Sequence, residues 1–323
     1  MGKNYLSLRQ RKKVRVLTLT AAGAASALVV GLLLSLNRVS FPGISLLKNL
    51  QMQQKDSYQG KSGVEGAIAQ PQEGLKLAVA ELEEQSKAEL LNFSVPAEFQ
   101  GKVEKQVKLP KKDKVIALTF DDGPWPRSTL QILDILKKNN IKATFFMVGE
   151  PLAEYPQIGQ KVVADGHAIG NHTWHHWYGK MTLATVTREI DDTAALIYKL
   201  TGVKTAMFRP PGGVLNNGLV DYAKKRNYFV AMWSSDSTDY RRPSVPALIH
   251  NVLKDVQPGG MVLLHDGGGD RSRTVQALPK IIAELKKRGY KFVTVPELLQ
   301  LKTKELKSTQ VVKPPTTEPA SVK

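Results

Sequence analysis

VIALTFDDGPWPRSTLQILDILKKNNIKATFFMVG, residues 115–149, holds the fold in miniature. A short β-branched and aromatic run, VIALTF (115–120), is followed by an amphipathic helical stretch, TLQILDILKKNN (129–140). A second apolar run follows at 143–149. Strand, helix, strand is the signature of a parallel pairing, because parallel strands need a long crossover where antiparallel ones need only a tight turn.

The same alternation continues toward the C-terminus. HAIGNH (167–172), AMFRP (206–210), YFVAMWSSD (228–236), GMVLLHD (260–266) and KFVTV (291–295) read as strands. Amphipathic helical stretches separate them. Seven strand-like runs with helices between them predict an α/β fold with a parallel sheet, either open or closed as a barrel.

Toward the N-terminus the composition changes. Residues 16–36, VLTLTAAGAASALVVGLLLSL, are 21 consecutive residues without a charge. At ~1.5 Å per residue such a helix spans a bilayer core of about 30 Å. Lys3, Arg9, Arg11, Lys12, Lys13 and Arg15 precede it with no acid among them. This asymmetry predicts a single-pass transmembrane anchor, with residues 1–15 cytoplasmic and the rest exported. The small residues 21–26 lie inside the apolar run rather than after it, unlike a cleaved leader. Residues 37–110, rich in Gln, Lys, Ser and Gly, read as a partly helical stem. Residues 111–300 form the folded domain. Residues 301–323, ending in PPTTEPASVK, read as a disordered tail.

The formal net charge is +17, enough for an anionic partner. No helix-turn-helix, zinc-finger or RNA-binding signature accompanies it, so no nucleic acid is expected. The chain has no cysteine. Disulfides, thiolate metal sites and a cysteine nucleophile are therefore excluded, and any metal must be held by histidine and carboxylate.

In parallel α/β folds the active site is built from the loops after the strands. Those loops carry Asp121 and Asp122, then His172, His175 and His176, then Arg209-Pro210-Pro211-Gly212-Gly213. Asp236 and Asp239 follow, then His265-Asp266. Adjacent carboxylates are costly unless something positive shares their site, so a metal could take one and leave the other as a base. His172 and His176, four apart, would offer both imidazoles to one side, and His172 with His175 is the rival pair. Two histidines, one carboxylate and an open position make a hydrolytic zinc-type site. The prolines after Arg209 fix its backbone, and its guanidinium can orient a carboxylate. His265 could be a general acid if a carboxylate holds its ring.

TFDDG (119–123), HTWHH (172–176), RPPGG (209–213), DSTDY (236–240) and VLLHDGGG (262–269), in this order, resemble the five motifs of the polysaccharide deacetylase family, the NodB-homology carbohydrate esterases. The resemblance covers residues 114–299. It implies a distorted (β/α) barrel, often seven-stranded, that removes acetyl groups from N-acetylated sugars of peptidoglycan or chitin-like polymers. By the same resemblance Asp122, His172 and His176 match the metal ligands and Asp121 the catalytic base. Arg209 matches the residue orienting that base, and His265 the catalytic acid. The aspartate tuning that histidine best fits Asp239, since the aromatic Tyr240 follows it, with Asp236 the alternative. Leu263 matches the wall of the acetyl pocket.

Two departures stand out: Gly212 where the family often has an aromatic residue, and Tyr240 where it has Trp. The first predicts a wider cleft, though the Gly212 N–H can still bind an oxyanion. Trp125, Trp174 and Trp177 lie on the same loops and could stack on sugar rings. The metal expected is one divalent ion, zinc, although cobalt or nickel suits the same ligands. Two other functions fit parts of the sequence: a metal-dependent hydrolase of a small cyclic amide, and a non-catalytic sugar-binding module of the envelope.

Overall fold

Every residue of the strand Val115–Asp121 is buried, and its two faces look into different compartments. Ile116, Leu118 and Phe120 join the large cluster beneath the helices. Val115 and Ala117 join a second cluster with Phe146, Ala168, Met207, Phe229 and Met261, all from other strands. The two-residue period of a strand puts Thr119 and Asp121 on that second, inner face. The strand thus divides its residues between an outer hydrophobic layer and the interior of a curled sheet.

The computed structural model describes residues 93, 95–110 and 113–311. Its elements begin with β1 (Val103–Glu104), β2 (Val115–Asp121), α1 (Ser128–Asn139) and β3 (Thr144–Met147). Then come α2 (Gly149–Glu154), α3 (Pro156–Ala164), β4 (Ala168–Asn171) and α4 (Leu183–Thr187). A π-helical turn, Arg188–Asp192, leads into α5 (Thr193–Thr201). β5 (Met207–Phe208), α6 (Leu219–Lys225), β6 (Phe229–Ala231) and β7 (Ser235–Asp236) follow. The chain continues with α7 (Val245–Lys254), β8 (Gly260–His265), α8 (Ser272–Lys287), β9 (Lys291–Phe292) and α9 (Val295–Val311).

The strands form one sheet in the order β1-β6-β5-β4-β3-β2-β8-β7, with β9 also pairing on β2. Every strand pairing is parallel. Among the described residues no ladder joins β1 to β7, so the curled sheet is an open, distorted barrel of the kind expected. The Val107 N–H donates to the Gly259 carbonyl at 2.9 Å and Gln106 bridges Gly260, so the segment after β1 straps across to the start of β8.

Among the described residues the strands number nine rather than seven. YFVAMWSSD divides at Trp233-Ser234: β6 pairs with β5, while β7 leaves it and pairs with β8. β1 is two residues long and lies in the segment expected to be stem. Residues 95–110 of that segment belong to the domain, because Val95, Phe99 and Val107 are buried with Val295, Leu298 and Leu299. Phe99 meets the ring of Phe229 edge-on at 6.0 Å. The expected tail also differs: α9 runs on to Val311, its buried Leu298 and Leu299 anchoring a solvated extension with a Lys302–Glu305 ion pair at 2.8 Å. The segment 1–15 expected to be cytoplasmic, the expected anchor 16–36, most of the expected stem and residues 312–323 lie outside the described residues. Among the described residues no helix is long and apolar enough to cross a membrane.

Candidate active site

Since all strands run the same way, their C-terminal ends share one rim. At that rim the inward side chains stop being apolar. β2 ends in Thr119 and Asp121, β8 ends in Leu263 and His265, and the residue after β5 is Arg209.

Arg209 is completely buried. A buried guanidinium is tolerable only when its nitrogens find acceptors, and here all three donate. Nε donates to the Ala231 carbonyl at 2.8 Å, and Nη2 to the Met232 carbonyl at 3.1 Å. Nη1 donates to Thr119 Oγ1 at 2.7 Å and to Asp121 Oδ1 at 2.8 Å. The Phe146 ring centroid lies 4.2 Å from the guanidinium carbon. Burial lowers the pKa of Arg209, and the ion pair with Asp121 opposes that shift. Asp121 is held in one orientation as a result.

Asp122 adopts a left-handed backbone, φ 73°, and both its carboxylate and that of Asp121 lie within 4 Å of His172 Nε2, at 3.5 and 3.8 Å. Asp122 Oδ1 lies 3.2 Å from His176 Nε2 and 3.5 Å from His172 Nε2. That oxygen is buried without a hydrogen-bond partner. Burial alone would raise the Asp122 carboxyl. The two imidazoles, with the charge of His265, instead hold it well below the ordinary carboxylate range. His172 Nδ1 sits 2.7 Å from the Arg209 carbonyl, which can only accept, so Nδ1 carries a proton and Nε2 is the ring nitrogen left facing Asp122. One ligand atom from each of Asp122, His172 and His176 lies within 4.8 Å of the others. An orphaned carboxylate oxygen facing two imidazole nitrogens is a donor set that fits a divalent cation.

His175, the rival ligand, is turned away. Its Nδ1 contacts Glu189 Oε1 at 2.5 Å. On the opposite wall, His265 Nδ1 lies 2.6 Å from Asp239 Oδ1. Asp239 Oδ2 accepts from the His265 N–H at 2.9 Å and from Thr274 Oγ1 at 2.8 Å. Burial would lower the His265 pKa. The hydrogen bond and charge of Asp239, helped by Asp122 and Asp121, raise it to about 9. Asp236 instead accepts from the Thr238 N–H at 2.7 Å and from the Tyr240 hydroxyl at 3.3 Å. Between the two candidate aspartates, geometry pairs Asp239 with His265.

These groups line one cleft of about 500 Å³, with Leu263, Gly212 and Trp125 in its walls. Trp177 is not among its lining residues. It is 49% exposed and stacks on His175, ring centroids 4.3 Å apart. Trp174 packs against Gly149 rather than entering the cleft. The wider cleft expected at Gly212 is not found, because the Tyr178 ring lies where a Gly212 side chain would begin. Gly212 has φ 57°, a conformation that favours glycine.

Several site residues were absent from the sequence reading. Trp233, Tyr178 and Arg271 line the cleft, and Arg271 Nη2 lies 3.6 Å from Asp122 Oδ2. Asp266, which the sequence placed at a strand end without a role, is buried beneath the Asp121–Asp122 turn, accepting from Thr129 Oγ1 at 2.5 Å. Its burial, with the charges of Asp122 and Asp121, raises it to about 7 against that hydrogen bond. Glu189 is considered below. Of these, only Asp266 lay within a motif, beside His265.

Comparison with known proteins places the chain in a family. A family model described as polysaccharide deacetylase matches residues 108–231. A peptidoglycan-N-acetylglucosamine deacetylase of Bacillus cereus is 43% identical over 198 residues, covering 60% of this chain and 92% of the relative. A peptidoglycan-N-acetylmuramic acid deacetylase of Bacillus subtilis is 34% identical over 203 residues, covering 61% of this chain and 42% of the relative. Among solved structures, a peptidoglycan N-acetylglucosamine deacetylase bound to a naphthalenyl-substituted benzamide superposes with a TM-score of 0.59 at 35% identity, covering 63% of this chain and 94% of that one. A pseudoenzyme of carbohydrate esterase family 4 from Bacillus anthracis gives 0.55 at 30%, covering 59% and 66%. With a relative at 43% identity spanned over 92% of its length, the chain belongs to the polysaccharide deacetylase family.

Proposed function

We propose that this protein is a metal-dependent hydrolase that removes the acetyl group from N-acetylglucosamine units of peptidoglycan. One observation carries this reading. Asp121, held by Arg209, and His265, held by Asp239, line a single cleft together with the Asp122, His172 and His176 cluster. The family includes a pseudoenzyme, so membership does not by itself establish catalysis. The intact acid, base and ligand set in this chain supports an active enzyme.

Asp122, His172 and His176 would hold one divalent ion, zinc by the softness of two imidazoles and one carboxylate, with cobalt or nickel as substitutes. Bound there, the ion supplies Lewis-acid polarisation of the acetyl carbonyl. The chain's own groups do the rest. Asp121, oriented by Arg209, takes a proton from the attacking water. As the hydroxyl oxygen bonds to the acetyl carbon, negative charge grows on the carbonyl oxygen, where the Gly212 N–H can donate. His265 as imidazolium gives its Nε2 proton to the departing nitrogen as the C–N bond breaks. The products are acetate and a free amine. Leu263 provides an apolar wall for the acetyl methyl. Trp125 offers a face to the sugar ring.

Placement outside the cytoplasm follows from the apolar run at 16–36 and the basic residues before it, which support a single-pass anchor with the domain exported. The test of function is mass spectrometry of peptidoglycan fragments after incubation with the purified zinc-loaded protein. Loss of acetyl from glucosamine units supports the proposal. Loss from muramic acid alone redirects the substrate assignment, and no loss from either, or from chito-oligosaccharides, defeats it.

A further inference from the structure

Glu189 is 2% exposed, yet neither the sequence motifs nor the chemistry above uses it. Its Oε2 accepts two backbone N–H groups, from Trp174 and His175, each at 2.9 Å. Its Oε1 faces His175 Nδ1 at 2.5 Å. All three donors belong to the loop that carries His172 and His176.

That loop does not hold its shape by propensity. Thr173 and His176 have φ of 68° and 62°. Non-glycine residues, a β-branched threonine above all, enter the left-handed region only when their surroundings hold them there. Glu189 sits in the π-helical turn Arg188–Asp192, an irregularity that recurs at functional sites because it redirects side chains and backbone groups out of the helical register. The same turn reaches the loop a second time. The Ile190 carbonyl accepts from Asn171 Nδ2 at 2.8 Å, and Asn171 Oδ1 accepts from the Thr173 N–H at 2.9 Å. The turn therefore grips the loop just before His172 and again between the two histidines. With that backbone set, His176 Nε2 lies 3.2 Å from Asp122 Oδ1.

We propose that Glu189 is a positioning residue whose carboxylate, by accepting the Trp174 and His175 N–H groups, preorganises the 172–176 loop for metal binding. The inference rests on the reading of Asp122, His172 and His176 as a metal site. It separates two arms of Glu189. The backbone arm serves the metal ligands. The ring arm holds His175, on which the exposed Trp177 stacks.

The experiment uses the full chain and three variants: Glu189→Ala, Glu189→Gln and His175→Ala. Zinc affinity is read by competition with a chelating dye, and thermal midpoints are read with and without zinc. Loss of an outer hydrogen-bonding partner of a metal site commonly weakens metal binding about 10–100-fold, and Glu189→Ala is expected in that range. Glu189→Gln keeps an oxygen for the two N–H groups but removes the charge, so it should fall between Glu189→Ala and wild type. His175→Ala removes only the ring arm and should stay within about threefold of wild type, since both backbone bonds survive. A role confined to general stability would lower the midpoints of the zinc-free and zinc-loaded forms equally and leave affinity unchanged, and that result overturns the proposal. Should Glu189→Ala not fold, the other two decide: wild-type affinity in Glu189→Gln, or equal losses in Glu189→Gln and His175→Ala, defeats it. Wild-type protein that binds no zinc sinks the metal-site reading, a failure visible before any variant is made.

Discussion

Replacing Asp239 by asparagine isolates one term in the charge arrangement of the cleft. The amide is nearly isosteric and can still accept from the His265 backbone or Thr274, but it carries no charge. In the intact protein burial pushes the His265 pKa down, and the Asp239 hydrogen bond and charge more than reverse this, from 6.5 to about 9. At about 1.36 kcal/mol per pH unit, that rise corresponds to roughly 3 kcal/mol in favour of the imidazolium. Asp122 and Asp121 contribute part of it. A bound divalent cation would offset their share, so the substitution reads the Asp239 share. Without Asp239, burial dominates and the pKa should return to 6.5 or below. At pH ~7.5 the acid would fall from about 97% protonated to about 10% or less, close to a tenfold loss of turnover. The assay is the initial rate of acetate release from about pH 5 to 10, with zinc content measured on the same samples. The alkaline limb should move to lower pH while bound zinc is unchanged. An alkaline limb that stays in place refutes the reasoning, and one that moves only in Asp236→Asn assigns the partner to Asp236.

Single alanine substitutions of Asp122, His172 and His176 should each sharply lower bound zinc, while His175→Ala should retain it. Loss in His175→Ala with retention in His176→Ala would reverse the ligand assignment. Arg209→Met strands the buried Asp121 carboxylate, and breaking such a pair costs about 3–5 kcal/mol, measurable by urea unfolding. An unchanged midpoint would mean that Asp121 finds another partner. Because the folded pKa of His265 is raised, its pair with Asp239 should stabilise the protein fully below about pH 6.5, with that contribution fading as pH rises through about 9. Thermal midpoints across that window should therefore differ less in Asp239→Asn than in wild type. Residues 1–15 should be cytoplasmic and uncleaved, and N-terminal sequencing of membrane-extracted protein that begins near Ser40 would reject the anchor.

Much of the site was legible because parallel strands gather their C-terminal ends. Asp121, Arg209, Leu263 and His265 could be assigned to one rim from the order of strand-like runs, before any distance was known. The limits of the fold were harder to read. Phe93, Val95, Ala97 and Phe99 alternate with Ser94, Pro96 and Glu98, but the run is short, carries a proline and stands in a polar segment, and Val95, Phe99 and Val107 become core by packing with Val295, Leu298 and Leu299. β1 and β7 are two residues each, too short to show alternation. At Gly212 composition suggested an empty space, but Tyr178, far away in sequence, fills it.

The sequence by itself determined which groups could do chemistry and roughly where they would gather. It excluded thiolate ligands, supplied paired carboxylates and clustered histidines, and placed them after apolar strands. Whether His175 or His176 faces Asp122 was decided by tertiary structure alone. The two are adjacent and chemically identical, and the choice turns on the backbone rotation at Thr173 and His176. That rotation is held by Glu189, whose partners in the loop lie 14 and 15 residues away. Asp239 rather than Asp236 meets His265 for a related reason, since Asp236 is engaged by its own turn and Asp239 lies buried against α8 through Thr274. A spacing can nominate neighbours, but the direction a side chain points depends on contacts that close only when distant segments pack.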